Sequence, residues 1–221
     1  MKILITAATI IELQPLMDSD IQQKTNAEII FHCSGIGMMA TCFSLTQIIA
    51  EHKPDLVIQA GIAGCFDKNL PLGSVVVIEK EYIADLGVSE NNDWKDVFDM
   101  NLIDTNEFPF AEKQLINPHL DNLNVLNTNR ETGITINNIS TDKNRIEQYS
   151  EKYHPTIESM EGAALHYVCL QLKVPFIQIR SISNIVGERD KQQWKIKEAI
   201  TNLTIYLQSL CLNRAFNYDS V

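Results

Sequence analysis

Arg180 stands inside the apolar run Pro175–Ile182 (PFIQIRSI), where a charge without a partner would be costly to bury. Glu161 is the candidate partner, because a strand–helix–strand unit can bring both residues to one sheet edge. Alone, such a pair reads as a structural ion pair. Ser183 and Asn184 follow at the same strand end, however, and open α/β sheets bind ligands beyond the carboxyl ends of their strands. That placement favours a site. Two further features sit at strand ends. Glu12 falls in the first turn of a short helix after the opening strand, where by itself it would be an acid complementing the helix dipole. Gly61-Ile62-Ala63-Gly64 closes a third apolar run, and its glycines let the backbone pass close to a ligand or another strand. The turn is neither a P-loop nor a G-x-G-x-x-G dinucleotide turn.

The elements that must position these groups follow from hydrophobic periodicity. Lys2–Ala7 reads as a strand and Ile10–Met17 as a helix. Asn26–Ser34 is a second strand, and Gly35-Ile36-Gly37 opens a helix to about His52 with Met39, Cys42, Phe43, Leu45, Thr46 and Ile49 as its inner face. Asp55–Ala60 reads as a buried strand, Ser74–Ile78 and Tyr82–Leu86 as two more, and Thr132–Ile139 as another. A helix from Thr141-Asp142 to about Lys152, a short strand Thr156–Met160 and a helix from Gly162 to Val174-Pro175 lead into the Arg180 strand. The last helix, Asp190–Leu212, carries Trp194, Ala199, Ile200, Leu203, Leu207, Leu210 and Cys211 on one side. Strands and helices alternate throughout, so the expected class is α/β, with residues 1–221 as one domain. Within it, 87–122 is a long excursion without period. Its aromatics Trp94, Phe98, Phe108 and Phe110 imply packing on something, such as a subunit partner or substrate. Residues 213–221 read as a loose tail.

Composition sets outer limits. The chain of 221 residues has 45% hydrophobic and 21% charged residues, ordinary for a globular protein. Its formal charge of −10 argues against nucleic acid or an anionic membrane as main partner, while leaving an anionic small molecule open. Five cysteines, odd in number and without a C-x-x-C pair, argue against a disulfide framework or zinc site; Cys33, Cys42 and Cys169 read as small core hydrophobes. Met1-Lys2 leads directly into a strand, without the features of a secretory leader, and no apolar run reaches membrane-spanning length. A cytoplasmic location is expected.

With Glu12, Gly61–Gly64, Ser159-Met160-Glu161, Arg180 and Ser183-Asn184 in hand, the chain resembles the nucleoside phosphorylase/nucleosidase family over most of its length. More narrowly, IADLGV (83–88), ESMEGAA (158–164) and IRSISNIVGERD (179–190) resemble the branch that hydrolyses futalosine in the menaquinone pathway. The resemblance implies a three-layer α/β/α sandwich around a mixed, partly barrel-like sheet, and a homo-oligomer, a dimer or larger, in which a neighbour helps close the site. It implies no metal or organic cofactor. N-glycoside cleavage needs an acid beside the ribose hydroxyls, a neutralised leaving base and an activated nucleophile. Glu161 matches the ribose-binding acid, Met160 the residue under the sugar, Glu12 the water-activating base and Arg180 the arginine near both; Ser183 positions Asn184. Gly61 and Ile62 border the same place, and Ile62 stands where the nucleosidases carry Ser.

Asn184 departs from the nucleosidases that act on 6-aminopurines, which place Asp here. An amide can donate to N7 and serve a 6-oxopurine, so the resemblance implies hypoxanthine as the leaving base. Phosphorolysis needs an anion pocket; Thr6–Thr9 holds no arginine, and an aliphatic Ile62 disfavours phosphate. The alternatives are a nucleosidase for methylthioadenosine, S-adenosylhomocysteine or aminodeoxyfutalosine, a purine nucleoside phosphorylase, and a nucleoside-binding sensor without catalysis. The substrate's carboxyphenyl tail calls for a basic or amide partner, and Lys95, Arg130 and Arg189 are all open to that role.

Overall fold

A computed structural model describes residues 1–91, 93–121, 123 and 128–212. Its first strand, β1 (Lys2–Ala7), is buried on both faces, so its side chains divide by the period of two. Ile3 and Ile5 enter one core, with Leu13 and Leu16 of α1 (Ile10–Met17), Ile21 of α2 (Ile21–Lys24) and Leu203, Leu207 and Leu210 of the final helix, α6 (Ile196–Leu212). Leu4 enters the other, with Leu45 and Ile49 of α3 (Met38–His52) and Leu165, Val168 and Cys169 of α5 (Gly162–Leu172). Helices on both faces of one sheet make the three layers.

The sheet is mixed and partly closed. β1 pairs in parallel with β2 (Glu28–Cys33) and with β3 (Leu56–Cys65). β3 runs parallel to β10 (Phe176–Ile185), which is antiparallel to β4 (Val75–Ile83). β4 is parallel to β8 (Arg130–Thr135), β8 to β9 (Ile157–Ser159), and β9 returns antiparallel to β3. Those five strands form a ring, β1 and β2 extend it as an open flank, and β7 (Leu115–Ile116) adds to β4. β5 (Gly87–Glu90) and β6 (Asp93–Asp96) form a separate hairpin. α4 (Lys143–Tyr153), capped by Asp142, packs Tyr149 and Tyr153 with Trp94 and Ile134.

Several expectations are corrected. Residues 74–86 hold one strand rather than two, because β4 carries its polar residues through the middle. The register against β8 shifts between Ile78 and Lys80, Glu79 reaches Arg130, and Glu81 is fully buried. β3 continues through Gly61–Gly64, since β10 and β9 hydrogen-bond it on both sides as far as Cys65. On α3 the core stripe is Thr41, Leu45 and Ile49; Met39 (86% exposed), Phe43 (66%) and Thr46 point outward. Periodicity finds apolar stripes but does not say which one meets the chain's own core. Residues 191–193 form a 3₁₀ turn, and Trp194 lies outside α6, its indole donating to the Glu188 carbonyl at 3.1 Å. Cys33, at a strand end, is exposed and Cys42 half-buried; of the three, Cys169 alone is core. The 87–122 stretch is not without regular structure. Its hairpin packs on the body, with Trp94 Nε1 donating to Tyr153 Oη at 3.1 Å, while Phe108 stays exposed. Residues 92 and 122 of that stretch and the proposed tail, 213–221, lie outside the described residues. No helix among the described residues is long and apolar enough to cross a membrane.

Candidate active site

The end of β1, the start of α1 and the middle of β3 meet at Glu12. Thr9 caps α1, and Glu12 Oε2 accepts from Thr9 N (3.0 Å) and Thr9 Oγ1 (2.8 Å). Oε1 accepts from the Ile62 backbone N–H at 3.1 Å. The cap and β3 therefore hold the carboxylate in one orientation at the cavity edge, with 8% of the residue exposed.

Arg180 is the largest of the fully buried side chains. The β3–β10 register places it opposite Gly61, and a Cβ on Gly61 would overlap its guanidinium. The first glycine of the G-x-x-G therefore has a definite cause: the arginine and Glu12 Oε1 occupy the space a Cβ would need. Nη2 donates to Gln59 Oε1 at 2.6 Å, and Nη1 lies 3.7 Å from Glu161 Oε2. Glu161 sits just before α5, where the helix dipole favours an anion, and its Oε1 accepts from Gly37 N at 3.1 Å. Gly37 has φ +89°, a left-handed backbone that turns its N–H towards the acid at little steric cost. The expected Glu161–Arg180 pair is formed, with Gln59 as its third member.

At the far end of β10, Ser183 Oγ donates to Asn184 Oδ1 (2.8 Å) and lies 3.1 Å from the Ala63 carbonyl. Asn184 Nδ2 donates to the Ile185 carbonyl at 3.0 Å. These contacts fix the amide, its donor end beside Gly64 of β3. A cavity of about 530 Å³ joins these parts, lined by Glu12, Ile62, Met160, Glu161, Ser183 and Asn184. Gly61, Arg180 and Gln59 stand behind its wall, so the arginine reaches a ligand only through Glu161.

Other groups in or near the wall were not singled out from the sequence. Gln59 offered the same signal as Arg180, a polar residue in the middle of a buried strand. Glu158 and Ser140 offered less, being a strand acid and a loop hydroxyl. Both line the cavity, and Ser140 N donates to Glu158 Oε1 at 3.3 Å. Burial raises the Glu158 pKa, which its Ser140 contacts partly offset. Of the three basic candidates for the tail, Arg189 alone borders the cavity, its guanidinium 5.7 Å from the Trp194 ring. Arg130 is tied to Asp121 and Glu79, and Lys95 lies 3.9 Å from Glu90.

A part-closed sheet between two helical layers, with two carboxylates on one cavity and a buried arginine behind them, defines an enzyme of the nucleoside phosphorylase/nucleosidase class. The chain belongs to the Phosphorylase superfamily, whose profile matches residues 21–211. Glu12 precedes the matched region, so its place rests on the geometry above. The futalosine hydrolase of Thermus thermophilus is 27% identical over 172 residues, 77% of this chain and 75% of that protein. The 5'-methylthioadenosine/S-adenosylhomocysteine nucleosidase of Bacillus subtilis is 31% identical over 171 residues, 73% and 70% of the two chains. Among solved structures, the native futalosine hydrolase of Helicobacter pylori superposes with a TM-score of 0.78 at 21% identity, covering 95% of this chain and 96% of that one. The nucleosidase from Colwellia psychrerythraea in complex with adenine gives 0.75 at 21%, covering 96% and 94%. At such identities these superpositions establish the fold.

Proposed function

We propose that the protein hydrolyses the N-glycosidic bond of futalosine, releasing hypoxanthine and dehypoxanthine futalosine for menaquinone biosynthesis, and that it works as a homo-oligomer. The observation that carries the base choice is the amide at Asn184. With Ser183 satisfying its carbonyl, Nδ2 has one N–H on the Ile185 carbonyl and one left for purine N7. A donor there stabilises the electron pair left on the base as the glycosidic bond breaks. Glu161, backed by Arg180, faces the ribose hydroxyls and stabilises positive charge on the sugar, while Met160 packs beneath the ring. Glu12 orients a water and takes its proton as the oxygen attacks the anomeric carbon. Phosphate fits poorly in that place: the Ile62 N–H that could bind an anion is held by Glu12, whose own charge would repel one.

A second reading, a nucleosidase for methylthioadenosine, S-adenosylhomocysteine or aminodeoxyfutalosine, has the support of relatives such as the 31%-identical Bacillus nucleosidase. One assay separates the two. Futalosine, its 6-amino analogue, methylthioadenosine and inosine are each incubated with the protein, with and without phosphate, and free base is followed by chromatography. Hypoxanthine released from futalosine independently of phosphate is the expected result. Adenine from the amino compounds alone would establish the second reading. A phosphate-dependent sugar phosphate would make the protein a phosphorylase, and binding without release would make it a sensor.

A further inference from the structure

The charges around the cavity are unevenly matched. Glu12, Glu158, Glu161 and Glu188 all line it, and among the described residues Arg189 is its one basic side chain. Apart from Glu161, which Arg180 offsets, these acids repel an anion, so an anionic ligand group must meet that arginine. Arg189 is exposed, and among the described residues its side chain forms no ion pair or hydrogen bond. Its guanidinium lies 5.7 Å from the Trp194 ring. The acids on either side of it in sequence turn to the backbone instead. Glu188 Oε1 accepts from Asp190 N at 2.6 Å, and Asp190 Oδ1 accepts from Gln192 N at 3.0 Å. Trp194 is itself fastened: its indole donates to the Glu188 carbonyl at 3.1 Å, and Lys195 N donates to the Ser183 carbonyl at 2.8 Å. The turn that carries Arg189 is thus clamped back onto the strand that carries Asn184. Ile139 and Ile196, exposed in the same cavity, add apolar surface. An unpaired cation on an anchored ring, beside exposed apolar side chains, matches an apolar group that ends in an anion.

We propose that Arg189, seated on Trp194, binds a carboxylate that the substrate carries beyond its ribose, and so selects nucleosides with an acidic, apolar-bodied substituent. This rests on the nucleoside-cleaving reading above, and the carboxyphenyl tail of futalosine is the group it assigns. A guanidinium presents parallel N–H donors that a carboxylate accepts in pairs, and the phenyl body of the tail covers the apolar side chains. Inosine and methylthioadenosine bring no charge to that place. Asn184 meets the base and Arg189 the tail, so the two selections are separable.

The test removes the charge from each side in turn. Futalosine, its carboxylate methyl ester, its 6-amino analogue, inosine and methylthioadenosine are assayed with the wild-type protein, Arg189→Gln and Arg189→Lys, following free base. Circular dichroism melts verify folding, which an exposed side chain without partners should not disturb. Arg189→Gln should lower kcat/KM for futalosine by about ten- to a hundredfold, mainly through KM. Arg189→Lys should recover part of that loss, because a point charge remains without the fork. Esterification should cost the wild type a similar factor and cost Arg189→Gln little, which marks a direct contact. Equal ester effects in the wild type and Arg189→Gln overturn the contact and leave the futalosine reading standing. A wild type that cleaves only the 6-amino analogue, with the same dependence on Arg189, supports the contact and overturns the base choice. A wild type that prefers methylthioadenosine to both tailed compounds overturns the contact and the futalosine reading together.

Discussion

A carboxylate oxygen has room for two hydrogen bonds, and Glu12 fills three of its four acceptor positions with Thr9 N, Thr9 Oγ1 and Ile62 N. One is left for water, in a fixed direction. Glu12→Gln keeps the shape but loses basicity and can satisfy only some of those donors. Steady-state kinetics should show kcat lower by about 10²–10⁴-fold with KM little changed; near-normal turnover would remove Glu12 from its role. Gly61→Ala should be nearly as damaging without altering any polar group. Its Cβ would overlap the Arg180 guanidinium and stand 3.1 Å from Glu12 Oε1. We expect a loss of about 10²-fold in kcat/KM in a protein that still folds, and wild-type kinetics would show that the guanidinium can move freely. At this scale the sequence was informative where a residue contradicted its surroundings, as Arg180 does within an apolar strand. It was silent on Glu158, because a strand acid beside a cavity looks the same in sequence as one facing solvent. It also suggested that Arg180 meets the ligand, whereas burial places it one layer back.

Elements are held together near the site by a second buried acid, Glu81 of β4. Its Oε1 accepts from Gln178 Nε2 (2.7 Å) and its Oε2 from Thr135 Oγ1 (3.0 Å), and Thr135 Oγ1 in turn accepts from Ala163 N (2.8 Å). The contacts join β4, β10, β8 and the first turn of α5, the helix that Glu161 precedes. Burial pushes the Glu81 pKa from 4.5 up to about 7, against the opposing effects of Gln178 and Arg180. The folded protein thus keeps a proton that the unfolded chain releases above pH 4.5. Stability from this group is intact below about 4.5, declines as pH rises to about 7, and is level beyond. At 1.36 kcal/mol per pKa unit the loss amounts to roughly 3 kcal/mol. Glu81→Gln cannot ionise. Urea unfolding of both proteins across that range should show the wild type losing stability relative to the variant as pH rises, and a constant difference would overturn the assignment. In sequence the strand reads as two because its Glu79-Lys80-Glu81 segment breaks the apolar pattern. Only the partners contributed by distant strands explain how β4 carries those charges through.

For the whole molecule, the question is what covers the outer face of α3. Met39 and Phe43 are 86% and 66% exposed, and Ile36, at 64%, adjoins them while also lining the cavity. Ile11 on α1 is 67% exposed at the same cavity. Clustered apolar side chains left in water are the usual mark of an interface, unlike single ones. A second copy of this chain is the occupant that suits the family resemblance, and the shared Ile36 means that covering this face also narrows the cavity mouth. A partner on this face would account for Met39 and Phe43, which are apolar at helical spacing yet stay outside the chain's own core. Sedimentation equilibrium at micromolar concentration should therefore give a dimer or larger species. The double variant Met39→Asp, Phe43→Asp should be monomeric, with its melting temperature changed less than its catalysis. Since Glu12, Glu161 and Asn184 all come from one chain, the expected defect is mainly a raised KM, with the groups that perform the chemistry still in place. A wild-type protein that is monomeric and fully active at assay concentration would show instead that the α3 face serves some other contact and that one chain closes its own site.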